Sequence, residues 1–483
     1  MSGPARTAGP GKGRPGKGGT GTGKAGPGKA GPGKAGPGKA KTGKAGQGRG
    51  RTAPGTPWGM TWLLLGFMLV NFADKAVLGL AGPDIMREFG ISRQEFGASQ
   101  AAFFALFSVS ALAVSALTKK VRTSVLLLGM ALLWSAAQLP MVWAAAGFGT
   151  LVLTRVLLGA AEGPAAPVAV HHLHGWFGQR DRNLPTAVLM VGAAAGVAVA
   201  APVLSAVISG WGWRWAFGTV GVIGLVWAVV WRRYGSEGPL APPVGPAARR
   251  AAEGAEAAAE VPLRRILLSG TFLTASVGSF AAYWLMSSKL TWLPDYLETV
   301  LGWDAHRAGL MVGAGAVANG GVLLVHGVVA QRAARRGRPG RLPAGAGAGV
   351  LLLLSAAAVT VFATAGADWL RVPMMFGPMA LALPMMTVSQ TAVARITPPS
   401  QRGVVLGAVV CVFALGGVLA PLVLGGIVDA GATTAQGYEN GWLFTAGLLA
   451  VAGVLTALFL RPERDADRLG VPETPSPGVP VAH

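Results

Sequence analysis

The sequence predicts an all-α membrane protein with twelve transmembrane helices in two six-helix halves, preceded by a disordered tail. Three observations carry that prediction. Hydrophobic residues make up 52% of the 483 and charged residues only 13%, where a soluble domain has about 25% charged. Apolar runs recur at a length that suits a hydrocarbon core about 30 Å thick, which takes about 20 helical residues. Lys and Arg, finally, collect in alternate loops. The single cysteine, Cys411, lies in an apolar run and supplies neither a disulfide framework nor a Cys-based zinc site. No nucleophile–base pair or phosphate loop stands out, so neither an enzyme nor a cofactor is expected.

Residues 1–57 hold twelve Lys or Arg and no acid, so the net charge of +21 leaves only +9 for the rest. Gly-Pro-Gly-Lys-Ala repeats in tandem from Gly26 to Ala40. Such a segment has almost nothing apolar to bury against the entropy of ordering, and disorder is expected. Glycine does not recur strictly every third residue, which excludes collagen. The basic charge suits weak attraction to anionic lipid, at about 1 kcal/mol per residue near the surface. Nucleic acid is not an expected partner, because no aromatic residue precedes Trp58 for a base to stack on. No short apolar segment follows the basic start, so no cleavable signal peptide is expected.

The apolar runs place six spans near 60–81, 98–117, 124–145, 149–170, 185–208 and 214–232. A second six fall near 266–290, 307–330, 344–365, 370–394, 403–427 and 441–460. The domains expected are thus the tail 1–57, a first half 58–232, a linker 233–265, a second half 266–460 and a C-terminal tail 461–483. One side of the chain collects the tail, Lys119-Lys120, Arg122, Arg180, Arg182, Arg232-Arg233, Arg249-Arg250, Arg264-Arg265, the Arg332–Arg341 cluster, Arg395, Arg402, Arg461 and Arg464. The opposite loops carry few basic residues, chiefly Arg87, Arg93, Arg214, Arg307 and Arg371. By the bias of Lys and Arg towards the cytoplasm, both termini are expected inside, at the plasma membrane.

Ionisable residues within a span cost several kcal/mol unless paired or hydrated, and each is a site candidate. Asn71, Asp74 and Lys75 form a polar stripe on the first span at i, i+3 and i+4. Arg155 and Glu162 lie two turns apart on one face of the fourth. Counting residues from the span ends at 1.5 Å each puts Asp74, Lys75 and Arg155 at one depth, with Glu162 deeper. A structural alternative is an Asp74–Arg155 ion pair joining the two spans. Lys289, Asn319, Ser389 and Gln390 are further polar candidates within spans. His171, His172 and His174 fall at the end of the fourth span, where a zinc site is not expected. Gly192–Gly196 and Gly416-Gly417 suit close helix packing rather than phosphate binding.

Several stretches resemble the major facilitator superfamily, and within it the anion:cation symporter group. They are Asn71-Phe-Ala-Asp74-Lys75, Pro83-Asp84, Arg155-Val-Leu-Leu-Gly159-Ala-Ala-Glu162-Gly163-Pro164, Trp176-Phe177, Asp181-Arg182 and Gly210-Trp-Gly-Trp213-Arg214-Trp215. The resemblance spans roughly residues 60–460. It departs from the group at Lys75, where Arg is usual, and at Ser115–Arg122 and Gly327–Arg332, which lack the acid of the usual cytoplasmic gate. It implies a secondary carrier working by alternating access, with a small organic anion and a proton as its partners. A cavity with excess positive charge is expected. Arg155, Lys75, Asn71, Lys289, Asn319 and Gln390 would hold the anion there, with Lys75 either a second cation or the partner of Asp74. Asp74 or Glu162 would carry the proton, as a carboxyl removed from water exchanges protons at a pH set by its surroundings. The other readings are a drug or metabolite exporter and a non-transporting membrane sensor or scaffold.

Overall fold

The computed structural model describes residues 55–118, 120–178, 181–241, 261–335, 345–398 and 401–471. The tail up to residue 54, residues 242–260 of the expected linker, the 336–344 loop and residues 472–483 lie outside them. All regular structure among the described residues is helical. The long helices in the first part are α1 (Pro57–Phe89), α2 (Arg93–Leu117), α3 (Thr123–Gln138, extended by a 3-10 turn to Val142), the pair α4 (Phe148–Glu162) and α5 (Ala165–His174), α6 (Asn183–Trp211) and α7 (Trp213–Tyr234). A short α8 (Leu263–Leu267) precedes α9 (Gly270–Thr299), α10 (Ala305–Arg335), α11 (Ala346–Thr364), the pair α12 (Asp368–Ala380) and α13 (Pro384–Arg395), α14 (Arg402–Asp429), α15 (Thr434–Phe459) and a short α16 (Pro462–Leu469).

With each pair counted as one rod, ten of the described rods are long and apolar enough to cross a membrane. α2 and α9, of 25 and 30 residues, match them in length. The ends follow local chemistry. At the start of α1, Thr56 Oγ1 accepts from the Gly59 amide at 3.1 Å and Pro57 occupies the first turn, where its missing N–H is no loss. Gly90, at φ +61°, closes the helix in the left-handed region. Ser269 and Thr433 cap α9 and α15 in the same way as Thr56. Val109, Leu133, Leu153, Val199, Val229 and Val451 point outward and exposed. An apolar exterior of this kind suits lipid, not water.

Helices surrounded by lipid gain little from hiding apolar surface, so contact rests on close packing at small residues. At Gly159 of α4 a Cβ would strike the Phe103 carbonyl of α2, and at Gly79 of α1 the Leu290 carbonyl of α9. The glycine faces expected for close packing behave alike: a Cβ at Gly192 would meet Met68, and one at Gly416 the Phe280 carbonyl. Where α1 ends and α2 begins, polar contacts reach α9, α14 and α15. Arg93 Nε donates to Asp295 Oδ2 at 2.7 Å, the Tyr438 hydroxyl donates to the same oxygen, and Asp429 accepts from the Gln94 amide at 2.8 Å.

Glu237, just after α7, accepts from the Ser124 amide at 2.7 Å and from Thr123 Oγ1 at 3.0 Å, capping the start of α3. Thr123 Oγ1 also meets His172 Nδ1 of α5 at 2.7 Å. Half-burial works against ionisation of Glu237, but the Ser124 and Thr123 hydrogen bonds and nearby His172 outweigh it and hold the carboxyl below its ordinary 4.5. A depressed carboxyl stabilises the fold above its unfolded titration and loses that stabilisation as pH falls through the folded one. Glu237→Gln should therefore lower the Tm of the purified protein at neutral pH, by about 1 kcal/mol if it counts as a helix cap. The gap to the wild type should close on acidification, and a gap constant with pH would contradict the assignment. Gly159→Val should prevent recovery of folded protein. Gly129→Ala, with open space around it, should be neutral or stabilise by up to about 1 kcal/mol, which size-exclusion profiles and Tm will show.

Candidate functional site

Near the middle of α1, Asn71, Asp74 and Lys75 face α3 and α4. Asp74 is 0% exposed, Arg155 and Glu162 1%, and Lys75 7%. Two polar bridges hold these groups. In one, Gln138 at the end of α3 stands between Asp74 and Arg155. Its Nε2 donates to Asp74 Oδ1 at 2.6 Å, and its Oε1 accepts from Arg155 Nη2 at 2.6 Å. In the other, Lys75 Nζ donates to Glu162 Oε2 at 2.5 Å and to Asn71 Oδ1 at 2.6 Å. Aromatic faces complete the cation sites: Lys75 Nζ lies 4.7 Å from the Phe72 ring centre, and the Arg155 guanidinium 5.2 Å from that of Phe217.

This arrangement differs from the sequence expectation in three respects. Lys75 pairs with Glu162, not Asp74, because adjacent residues on a helix diverge by about 100° and face different neighbours. Helical side chains also lean towards the N-terminus, so Lys75 reaches back one turn to Asn71, where Glu162 meets it. Asp74 and Arg155 are joined through Gln138 rather than directly. Finally, the two carboxylates and two cations balance, so the expected excess of positive charge does not arise here.

Glu162 owes its position to a break in the rod. Pro164 has no N–H to donate and ends α4, so that α5 restarts at Ala165. The α12–α13 rod breaks in the same way at residues 381–383, between Pro378 and Pro384. In membrane carriers such interruptions are tolerated where the backbone faces a cavity or a bound solute. Four buried atoms of the cluster, Asn71 Nδ2, Asp74 Oδ2, Arg155 Nε and Glu162 Oε1, lack a hydrogen-bond partner. Unpaired buried polar atoms are rare in folded proteins, and four of them in one cluster mark it as a candidate site.

The second break opens on a cavity of about 280 Å³ between α1, α6, α9, α10 and the α12–α13 rod. Phe72, Lys289 and Asn319 line it, whereas Lys75, Arg155 and Glu162 do not. Lys289 Nζ donates to the Met375 carbonyl at 2.9 Å, and Asn319 Oδ1 has no partner. Gln390 is exposed on α13 and does not line this cavity, while the Ser389 hydroxyl is taken by the Met386 carbonyl at 3.0 Å. His174 Nε2 meets Thr186 Oγ1 at 3.1 Å, and no group of three metal-ligating side chains occurs among the described residues. Sequence reasoning missed Gln138, which reads as an unremarked polar residue in an apolar run. It also missed the two breaks, although Gly163-Pro164 and the Pro378–Pro384 pair announce them.

The chain belongs to the Major Facilitator Superfamily, whose family model matches residues 63–383 and 375–483. Among curated proteins it is similar to the "Probable L-galactonate transporter" of Escherichia coli K12, with 28% identity over 274 residues, 55% of this chain and 60% of that protein. It is also similar to the "Hexuronate transporter" of Bacillus subtilis, with 25% identity over 230 residues, 47% of this chain and 54% of that protein. The matches thus span little more than half the length of these two relatives. Among solved structures, a bacterial homolog of the human lysosomal transporter Spinster, inward-facing and occupied, superposes with a TM-score of 0.66 at 18% identity, covering 85% of this chain and 96% of that one. The family and these relatives are transporters, not enzymes.

If Gln138 is the bridge that neutralises Asp74 against Arg155, Gln138→Leu leaves two buried charged groups short of a partner. That should destabilise the protein by about 3 kcal/mol or more. Gln138→Glu, which adds a third carboxylate beside Asp74, should also lower the Tm. A Tm unchanged in both variants would contradict the bridge.

Proposed function

We propose that the chain is a secondary carrier that moves a small organic anion together with a proton by alternating access. The observation that carries this reading is the Lys75–Glu162 pair, buried at the point where the fourth rod breaks. An ammonium held by a carboxylate at 2.5 Å is not available to another anion. Protonating Glu162 cancels that attraction and frees Lys75, so proton binding favours anion binding, and by linkage the anion favours the proton. Lys289 and Asn319 offer the anion further contacts in the cavity, Asn71 helps to orient Lys75, and Arg155 adds fixed positive potential. Asp74 is the alternative proton carrier. The organic acids named for the relatives, galactonate and hexuronate, support the anion as substrate class.

Twelve crossings, arranged as six plus six around the cavity, are part of the same proposal, as is a plasma-membrane location with both termini and the linker cytoplasmic. The alternation of basic loops supports that orientation. The basic tail would add only a salt-sensitive attraction to anionic lipid.

Reconstitution into liposomes tests the coupling with a panel of labelled organic acids that includes galactonate. Glu162→Gln keeps an acceptor for Lys75 but cannot ionise. It should exchange substrate in counterflow and fail to accumulate it under an inward proton gradient, with the internal concentration settling near the external one. Full accumulation by Glu162→Gln would remove Glu162 from the coupling role. Arg155→Lys keeps the charge and loses the planar fork that reaches Gln138. It should weaken uptake while Lys75 and Glu162 still couple it to the proton.

A further inference from the structure

Granted that the chain carries an organic anion, we infer that the Lys289 cavity selects a small carboxylate with an apolar body, aromatic or branched aliphatic, over polyhydroxylated sugar acids. The cavity lies at mid-depth: Phe72 is the sixteenth of the 33 residues of α1, and Asn319 the fifteenth of the 31 of α10. Its volume, about 280 Å³, falls near the lower end of sites for small molecules. The position and size are those of a carrier's solute site.

Its walls are what separate the two ligand classes. Lys289 and Asn319 are the lining residues with polar side chains, and all the others are apolar or glycine. The ammonium of Lys289 gives one proton to the Met375 carbonyl at 2.9 Å and keeps two. No carboxylate lies within 4.0 Å of it among the described residues, as the ion pairs there fall elsewhere. Those two protons suffice for one carboxylate, while the buried, unpaired Asn319 Oδ1 is an acceptor and can serve one donor, such as a single hydroxyl.

Little then remains for hydroxyl groups. The Met379 carbonyl, exposed by the nearby break, is already taken by the Ser355 hydroxyl at 2.9 Å. The polar groups of the Lys75 cluster stand behind Phe72, whose ring faces Lys75 at 4.7 Å and also lines the cavity. A sugar acid placed here would bury several hydroxyls without partners, each weakening binding by about tenfold or more. An apolar body meets Leu285, Leu290, Leu293 and Val312 and brings no polar group of its own that needs a partner.

Thermal stabilisation of the purified full-length protein tests this with phenylacetate, cyclohexanecarboxylate, galactonate, glucuronate and the neutral phenylacetamide, at equal concentrations in one detergent. The two apolar acids should raise the Tm, with titrations giving a Kd about tenfold or more below that of either sugar acid. Phenylacetamide should have no effect, and Lys289→Met should abolish the response to phenylacetate. If that variant does not fold, the contrast between phenylacetate and phenylacetamide on the wild type still reads the role of the cation. Stabilisation by galactonate or glucuronate without the apolar acids would overturn the inference and leave the anion-carrier reading standing. Equal stabilisation by acid and amide would overturn the part given to Lys289. No response to any acid would overturn both readings.

Discussion

Lys75 and Glu162 meet at 2.5 Å where both side chains are buried. An unpaired charge so deep in a protein costs several kcal/mol, and losing one partner of such a pair costs about 3–5 kcal/mol. α1 and α4 must therefore lie where these two groups can touch. The same constraint acts a turn away, where Asp74 and Arg155 would each be stranded without the amide of Gln138. The close glycine contacts run elsewhere, from Gly159 of α4 to α2 and from Gly79 of α1 to α9, so α1 and α4 are joined by these long polar side chains.

The breaks at Gly163-Pro164 and between Pro378 and Pro384 bring a helix end to each polar place, beside residues that are mid-helix on α1, α9 and α10. Glu162 sits on the last residue of α4, and the cavity opens beside residues 381–383. A continuous helix uses its carbonyls internally, whereas a broken one leaves some for side chains, as the Ser355 contact to Met379 illustrates. At the end where Arg93 meets Asp295 and Asp429 meets the start of α2, these polar contacts sit beside close packing. Gly97 lies against the Pro421 carbonyl, Gly425 against that of Arg93, and Phe96 against Trp292.

Much of the helical plan was legible in the sequence. Apolar runs bounded by charged loops placed twelve segments within several residues of the observed helices, because lipid solvation demands uninterrupted apolar stretches. The long polar extension of α1 to Phe89 was not foreseen, since residues beyond the apolar run read as loop. Depth counting brought Asp74 and Arg155 to one level, and the Gln138 bridge between them agrees with it. The partner of Lys75 was not legible, because span counting ignores where a side chain leans. The capping of α3 by Glu237 was not legible either, because the two lie more than a hundred residues apart in the sequence. Gln390 was placed by polarity alone, and polarity does not say which face of α13 it occupies.

The central claim is that Glu162 exchanges a proton while holding Lys75. Infrared difference spectra of the protein in liposomes, taken between neutral and acidic pH, read this without any knowledge of the substrate. The account predicts a protonated-carboxyl band from an apolar environment in the wild type, absent from Glu162→Gln and retained in Asp74→Asn. A band that survives Glu162→Gln unchanged and disappears in Asp74→Asn would contradict it.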